Sequence, residues 1–171
     1  MELNIKYWII DVDGTMTDGG IYYDVQGNEL KKFNTRDGIG LIMLYRLGMQ
    51  AVVVTGRESK ATERRMKELK VENLFQNVKN KVEFITKFMD EHQIKKEELA
   101  YIGDDLNDYY AMQLAGFKAC PADACEEIKE CVDYISDKKG GAGAVRDVIC
   151  YYLKQKGEWD KCLQHVLDAG I

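Results

Sequence analysis

Histidine and proline are nearly absent from this 171-residue chain, which has two histidines, His92 and His165, and one proline, Pro121. Both histidines fall in helical stretches away from any strand end, so imidazole-based acid–base chemistry and zinc ligation are set aside. Long apolar runs are also lacking. Apolar stretches such as Ala51-Val52-Val53-Val54 fall far short of the ~18 residues that cross a bilayer, and no membrane partner is expected. The five cysteines (Cys120, Cys125, Cys131, Cys150 and Cys162) are odd in number and form no C-x-x-C pair. Free thiols in a reducing compartment follow, without a disulfide framework. Positive charge is in short supply, and a net charge of -5 argues against a nucleic-acid partner. Met1 to Lys6 runs into an acidic Asp11-Val12-Asp13 without the basic start and apolar stretch of a secretory signal, so a cytoplasmic location is expected.

What is present fits a globular domain: 46% hydrophobic and 31% charged residues, enough to bury roughly 70% of the unfolded surface. One domain over 1–171 is expected. Lys6–Ile10, Gln50–Val54, Leu99–Ile102, Phe117–Cys120 and Tyr134–Ile135 read as short buried strands ending in turn-forming residues. Between them lie helical patterns at Gly38–Leu47, Ser59–Leu69 with Ser59 as N-cap, Asn80–His92, Asn107–Leu114, Cys125–Cys131 and Ala144–Lys154. Such alternation predicts an α/β fold with a Rossmann-like, doubly wound parallel sheet, and ligands at the carboxyl ends of the strands. The stretch from Thr55 to Lys81 has room for one helix and a strand. Ile21–Tyr23 and Glu29–Phe33 flank a Gly-containing loop and predict a β-hairpin, a flap at about 18–33 over the end of the first strand. The tail at about 157–171 includes the helical stretch of His165 but matches no motif.

The strand ends gather an unusual set of groups: Asp11 and Asp13 after the first strand, Thr55 after the second, Lys81 at a helix start, and Asp104, Asp105 and Asp108 after a later strand. Carboxylates so grouped repel one another unless a hard divalent cation joins them, and all-oxygen ligands favour Mg²⁺. A phosphoryl group accounts for the remainder. Thr55 and Gly56 supply hydroxyl and amide donors and Lys81 an ammonium for its oxygens. Asp11 is then placed to attack phosphorus and form an aspartyl-phosphate, and Asp13 to protonate the leaving oxygen and later deprotonate a water.

These motifs, Asp11-Val12-Asp13-Gly14-Thr15, Thr55, Lys81 and Gly103-Asp104-Asp105-x-x-Asp108, resemble the four motifs of the haloacid dehalogenase superfamily of phosphatases. The resemblance implies Asp11 as nucleophile, Asp13 as acid/base, and Mg²⁺ held by the Asp11 carboxylate, the Asp13 backbone carbonyl and Asp104. Family spacing favours Lys81 over Lys79. Asp105 and Asp108 are assigned a supporting place behind the ligands or at the opening of the helix. The chain has no room for the cap domain that many members carry, so the crevice needs closure by another molecule or subunit.

In detail the chain is similar to the capless, tetrameric sugar-acid phosphatases, above all the 3-deoxy-D-manno-octulosonate 8-phosphate phosphatases. The likeness rests on Asp18-Gly19, Lys32 to Gly38, Thr55-Gly56-Arg57, Arg65, Gly103 to Asp108 and Gly140 to Arg146. It implies a homotetramer in which a neighbour's flap or tail closes the site. It also implies a substrate pocket lined by Asn34, Thr35, Arg36, Asp37, Gly38, Gly56, Arg57 and Arg65, beside Asp13 and Lys81. Arginine's planar fork suits the substrate's carboxylate. The glycine-rich segment carries Ala142 where the octulosonate enzymes commonly have an arginine, and phosphatases of nonulosonate 9-phosphates are the alternative. A receiver-type signalling domain is a rival of another class. It places its phosphorylated aspartate at the end of the middle strand, whereas no aspartate ends Gln50–Val54.

Overall fold

In the computed structural model, residues 3–168 are described, and six strands form one fully parallel sheet in the order β5-β4-β1-β6-β7-β8. These are β1 (Tyr7–Ile10), β4 (Gln50–Val54), β5 (Asn73–Phe75), β6 (Leu99–Ile102), β7 (Phe117–Cys120) and β8 (Tyr134–Ile135). The separate pair β2 (Tyr22–Tyr23) and β3 (Glu29–Leu30) makes an antiparallel hairpin after β1. The helices are α1 (Thr35–Arg46), α2 (Lys60–Glu68), α3 (Lys81–His92), α4 (Tyr109–Met112), α5 (Glu126–Lys129), α6 (Ala144–Gln155) and α7 (Trp159–Asp168).

β1 sits at the centre because it has a parallel partner on each side, with Ile9 level with Val52 of β4 and Tyr101 of β6. A strand in that place is covered on both faces and must be apolar throughout, and Trp8, Ile9 and Ile10 are all fully buried. Their alternation divides the core. Trp8 and Ile10 face the layer holding Leu41, Leu44, Met66, Val148 and Leu153, whereas Ile9 faces Ile85, Phe88, Met112 and Ile128. The chain leaves β1 for β4 on one side and returns to β6 on the other. The switch point therefore lies between the carboxyl ends of β1 and β6, where open α/β sheets bind ligands.

The predicted strands of the sheet are found within a residue of their expected limits, the returning hairpin strand ends at Leu30 instead of Phe33, and the strand allotted to the Thr55–Lys81 stretch is β5. Three departures have physical reasons. α1 begins at Thr35, three residues before the expected Gly38, because the Asn34 side chain accepts the Arg36 N–H at 2.9 Å and caps the helix there. Ser59 stands at the N-cap of α2 without capping it through its side chain, which is spent on Glu29 of the hairpin. The helical stretch of His165 in the tail is α7, whose limits had not been assigned; it packs against α1 and α6, buries Cys162 and stacks Trp159 under the Lys154 ammonium at 5.2 Å. Among the described residues no helix is long and apolar enough to cross a membrane.

Tyr152 ties the amino-terminal segment to this core. Its hydroxyl accepts the buried Ile5 N–H at 3.1 Å while its ring meets Trp8 edge-on at 5.3 Å. Replacement Tyr152→Phe leaves that amide unpaired and is expected to cost about 1–3 kcal/mol in urea unfolding. Val25→Ala, at a side chain 96% exposed on the hairpin loop, should change stability by less than about 0.5 kcal/mol.

Candidate active site at the ends of β1 and β6

As β1 ends, the backbone of Asp11 donates to the Ile102 carbonyl at 3.0 Å and the chain turns sharply through residues 12–17. Gly14 takes φ +97°, and a Cβ there would lie 2.0 Å from the Asp104 carboxylate. Only glycine allows both the turn and that approach. Thr15 Oγ1 donates to Asp104 Oδ1 at 2.8 Å, joining the two strand ends directly. The turn rests on the glycine-rich segment of the same chain: a Cβ on Gly140 would fall 1.8 Å from the Gly14 carbonyl, and Gly141 N–H donates to the Thr15 carbonyl at 3.3 Å. Gly140 and Gly141 are thus the floor of this chain's own turn.

Asp11, Asp104 and Asp108 bring carboxylate oxygens within 4.8 Å of one another. Lys81, buried at the first turn of α3, donates to Asp11 at 2.5 Å and to Asp108 at 2.6 Å. Asp108 is engaged at both oxygens. Its Oδ1 also accepts from the Tyr101 hydroxyl at 2.6 Å, and its Oδ2 from the Asp104 N–H at 3.1 Å. One ammonium cannot neutralise three carboxylates in a dry pocket, so protons are retained there. Burial, with Asp108 beside it, holds the Asp11 carboxyl well above the usual carboxylate range against the pull of Lys81. Burial and the charges of Asp108 and Asp105 push Asp104 up to about 7, against the Thr15 hydrogen bond and Lys81. An all-oxygen donor set short of positive charge fits a hard divalent cation.

Asp13 lies at the mouth, its side chain 27% exposed against 5% for Asp11. Thr55 Oγ1 donates to Asp13 Oδ2 at 3.3 Å, and Lys31 from the hairpin pairs with Asp13 Oδ1. Arg57 is drawn to Glu29 of the same hairpin, and the Gly56 carbonyl accepts from Lys79 at 3.1 Å.

Of the residues singled out from the sequence, Asp11, Lys81, Asp104 and Asp108 meet in one hydrogen-bonded group, and Asp13, two residues along the turn, forms a hydrogen-bonded pair of its own with Thr55. Asp105 is exposed and accepts the Leu106 N–H at 2.8 Å, shaping the loop before α4. Asn34 caps α1, while Thr35 and Arg36 are exposed on its first turn. Asp37 is buried behind them, accepting the Arg146 N–H at 2.9 Å at the start of α6, and its desolvated carboxyl is pushed up to about 6. A Cβ on Gly38 would lie 2.8 Å from the Arg65 guanidinium, which pairs with Glu68 at 3.3 Å. Thr35, Arg36 and Arg65 form no hydrogen bond with the carboxylate group among the described residues. Lys31 and Tyr101 join the site without having been anticipated, and Thr15, present in the first motif but given no role, joins it through Asp104. Lys31 had a signal in the two-residue alternation of the hairpin, which puts it on the face of Glu29 and opposite Leu30.

The haloacid dehalogenase-like hydrolase family matches residues 21–122, a span containing Thr55, Lys81 and Asp104. The 3-deoxy-D-manno-octulosonate 8-phosphate phosphatase KdsC of Salmonella typhi is 37% identical over 158 residues, 92% of this chain and 84% of that protein. Among solved structures, the 3-deoxy-D-manno-octulosonate 8-phosphate phosphatase of Moraxella catarrhalis, in complex with magnesium ion, phosphate ion and KDO, superposes with a TM-score of 0.89. It is 38% identical, over 94% of this chain and 92% of that one. The cobalt-bound deoxy-D-mannose-octulosonate 8-phosphate phosphatase of Haemophilus influenzae matches with a TM-score of 0.85 at 36% identity, covering 91% of each chain.

A carboxyl raised to about 7 in the fold from 3.8 holds its proton longer folded than unfolded. Its contribution to stability is therefore present at low pH and lost as pH rises from about 4 to about 7. A divalent cation replaces those protons. The rise in Tm on adding Mg²⁺ is expected to grow between pH 5 and pH 7.5, and to vanish in Asp104→Asn.

Proposed function

The chain belongs to the haloacid dehalogenase-like hydrolases, and on that premise we propose that it hydrolyses the phosphate ester of a sugar acid, 3-deoxy-D-manno-octulosonate 8-phosphate. The observation that carries this reading is the buried group of Asp11, Asp104, Asp108 and Lys81 at the sheet's switch point, with Asp13 at its mouth. Asp11 and Asp104, with the Asp13 backbone carbonyl, would hold Mg²⁺, since both carboxylate oxygens of Asp108 are already engaged. The cation supplies positive charge against the non-bridging phosphoryl oxygens. Asp11 attacks phosphorus as the ester bond breaks, giving an aspartyl-phosphate, and Asp13 donates its proton to the departing sugar oxygen. Asp13 then takes a proton from the water whose oxygen bonds phosphorus as the Asp11–phosphorus bond breaks, and inorganic phosphate leaves. Lys81 and Thr55 hold the phosphoryl oxygens throughout.

Arg57, at the rim and 42% exposed in its side chain, is assigned to the sugar acid's carboxylate, with Glu29 as its partner until substrate arrives. Arg36 and Arg65, with Asn34, Thr35, Asp37, Gly38 and Gly56, complete the proposed pocket wall, Asp37 acting from beneath by holding α6. The enzyme is further proposed to be a cytoplasmic homotetramer, a neighbour closing each crevice. The flap supports that arrangement, with Ile21, Tyr22, Tyr23, Val25 and Leu30 all exposed. α7 is committed to its own core, so the flap is the better candidate for closure.

Phosphate release from octulosonate 8-phosphate, nonulosonate 9-phosphates and hexose phosphates tests the substrate. The first should lead by at least about tenfold in kcat/KM, and a lead by another ester reassigns the enzyme. Asp11→Asn is expected to lower turnover about 1000-fold or more and Lys81→Met about 100-fold, with folding retained on circular dichroism. In light scattering the protein should have four times the chain mass, and a monomer at assay concentration would remove the assembly from the account.

A further inference from the structure

Two lysines from different elements reach the two aspartates of the β1 turn. Lys81 comes from α3 to Asp11, and Lys31 comes from the flap to Asp13. Only the first was foreseen from the sequence. The Lys31 side chain is 3% exposed although it belongs to a surface hairpin, while its neighbour Lys32 is 63% exposed and Leu30 54%. Alternation along the returning strand accounts for this, turning Glu29 and Lys31 inward and Leu30 and Lys32 outward. A lysine withdrawn from water needs an anionic partner. Lys31 has Asp13 in direct contact and Glu29 at 3.6 Å.

The two oxygens of Asp13 are held unequally. Oδ1 is paired with the Lys31 ammonium, and among the described residues Oδ2 has only the Thr55 hydroxyl at 3.3 Å. Oδ2 is therefore the oxygen that can turn to a substrate, while Oδ1 is anchored. A carboxyl carrying its proton on Oδ2 still offers Oδ1 to an ammonium, so the anchor survives both protonation states. The hairpin itself has two residue pairs, Tyr22 with Leu30 and Tyr23 with Glu29, too few to be rigid alone. Its charged contacts with Asp13 and Arg57 keep it against the site.

We propose that Lys31 is a positioning residue for Asp13: the flap lysine anchors Oδ1 so that Oδ2 faces the leaving oxygen. The proposal rests on the reading of Asp13 as acid/base given above. In the step concerned the phosphorus–oxygen bond to the sugar breaks as phosphorus bonds Asp11, and the Oδ2 proton passes to the departing alkoxide. The water step returns a proton to Oδ2. Orientation of this kind matters where the leaving group needs a proton and not where it departs as a stable anion.

The test compares an alkyl ester, octulosonate 8-phosphate, with 4-nitrophenyl phosphate in first-turnover rapid-mixing experiments on wild type, Lys31→Met, Lys31→Arg and Asp13→Asn, all with Mg²⁺. Lys31→Met is expected to slow alkyl ester cleavage at least about tenfold, within the range lost when an acid group is misplaced. Its KM should stay within about threefold, as should the first-turnover release of nitrophenolate. Lys31→Arg should restore most of the alkyl rate, and Asp13→Asn should show the same selectivity more strongly. An equal loss on both esters, no loss on either, no rescue by arginine, or a Lys31→Met variant that does not fold would overturn the proposal. Selectivity present in Asp13→Asn but absent in Lys31→Met removes the positioning role alone. A wild type that cleaves neither ester removes the reading beneath it as well.

Discussion

At the ends of β1 and β6 two buried carboxylates, Asp11 and Asp108, share the Lys81 ammonium while the half-buried Asp104 lies within reach of both, and that imbalance of charge is the constraint around which the rest of the site is arranged. Left alone, it raises the proton affinity of Asp11 and Asp104 and works against folding at neutral pH. The fold tolerates it because the surrounding core is dense. β1 is buried on both faces, and the strand-end backbone is fixed by the Asp11 N–H bond to Ile102 and the Thr15 bond to Asp104. A site short of positive charge is poised for a cation and a phosphoryl group, whose charges complete it.

Asp11 and Asp13 are two residues apart and live in different surroundings. Asp11 points into the desolvated group beside Lys81, a suitable setting for a nucleophile held at phosphorus. Asp13 points to the rim between the flap and Thr55, where a proton can be exchanged with a leaving group or water. Gly14 makes the divergence possible by turning the chain against Asp104, and Gly140 makes room beneath the turn. The glycine-rich segment thus has a reason to be glycine-rich within one chain, before any neighbour is considered.

Much of this was legible in the sequence, and its limits are physical. The strands declared themselves by apolar runs ending at Asp11, Thr55 and Asp104, and those ends gave the site. β5 was harder, because Asn73, Leu74 and Phe75 make a half-buried edge strand without alternation or a long apolar run. α7 was seen only as a helical stretch around His165 without limits, because its one fully buried side chain is Cys162 and the rest of its contact with α1 and α6 is made by partly buried residues. Asp37 looked like a pocket residue from its motif. Its neighbours Thr35 and Arg36 face solvent while Asp37 itself turns inward to cap α6, a choice fixed by helix rotation and by a partner 109 residues away. Lys31 and Tyr101 were missed for the same reason, since their partners Asp13 and Asp108 are met only in three dimensions.

The central claim is that Asp11 attacks phosphorus from within the buried charge cluster. It is tested most directly by acid-quenching the Mg²⁺-loaded enzyme during its first turnover of octulosonate 8-phosphate and locating the phosphoryl group by peptide mass mapping. The account predicts a transient acyl phosphate on Asp11 that rises and decays at rates consistent with turnover. Phosphate release with no phosphorylated peptide at any time, or with the phosphoryl group on another residue, would contradict it.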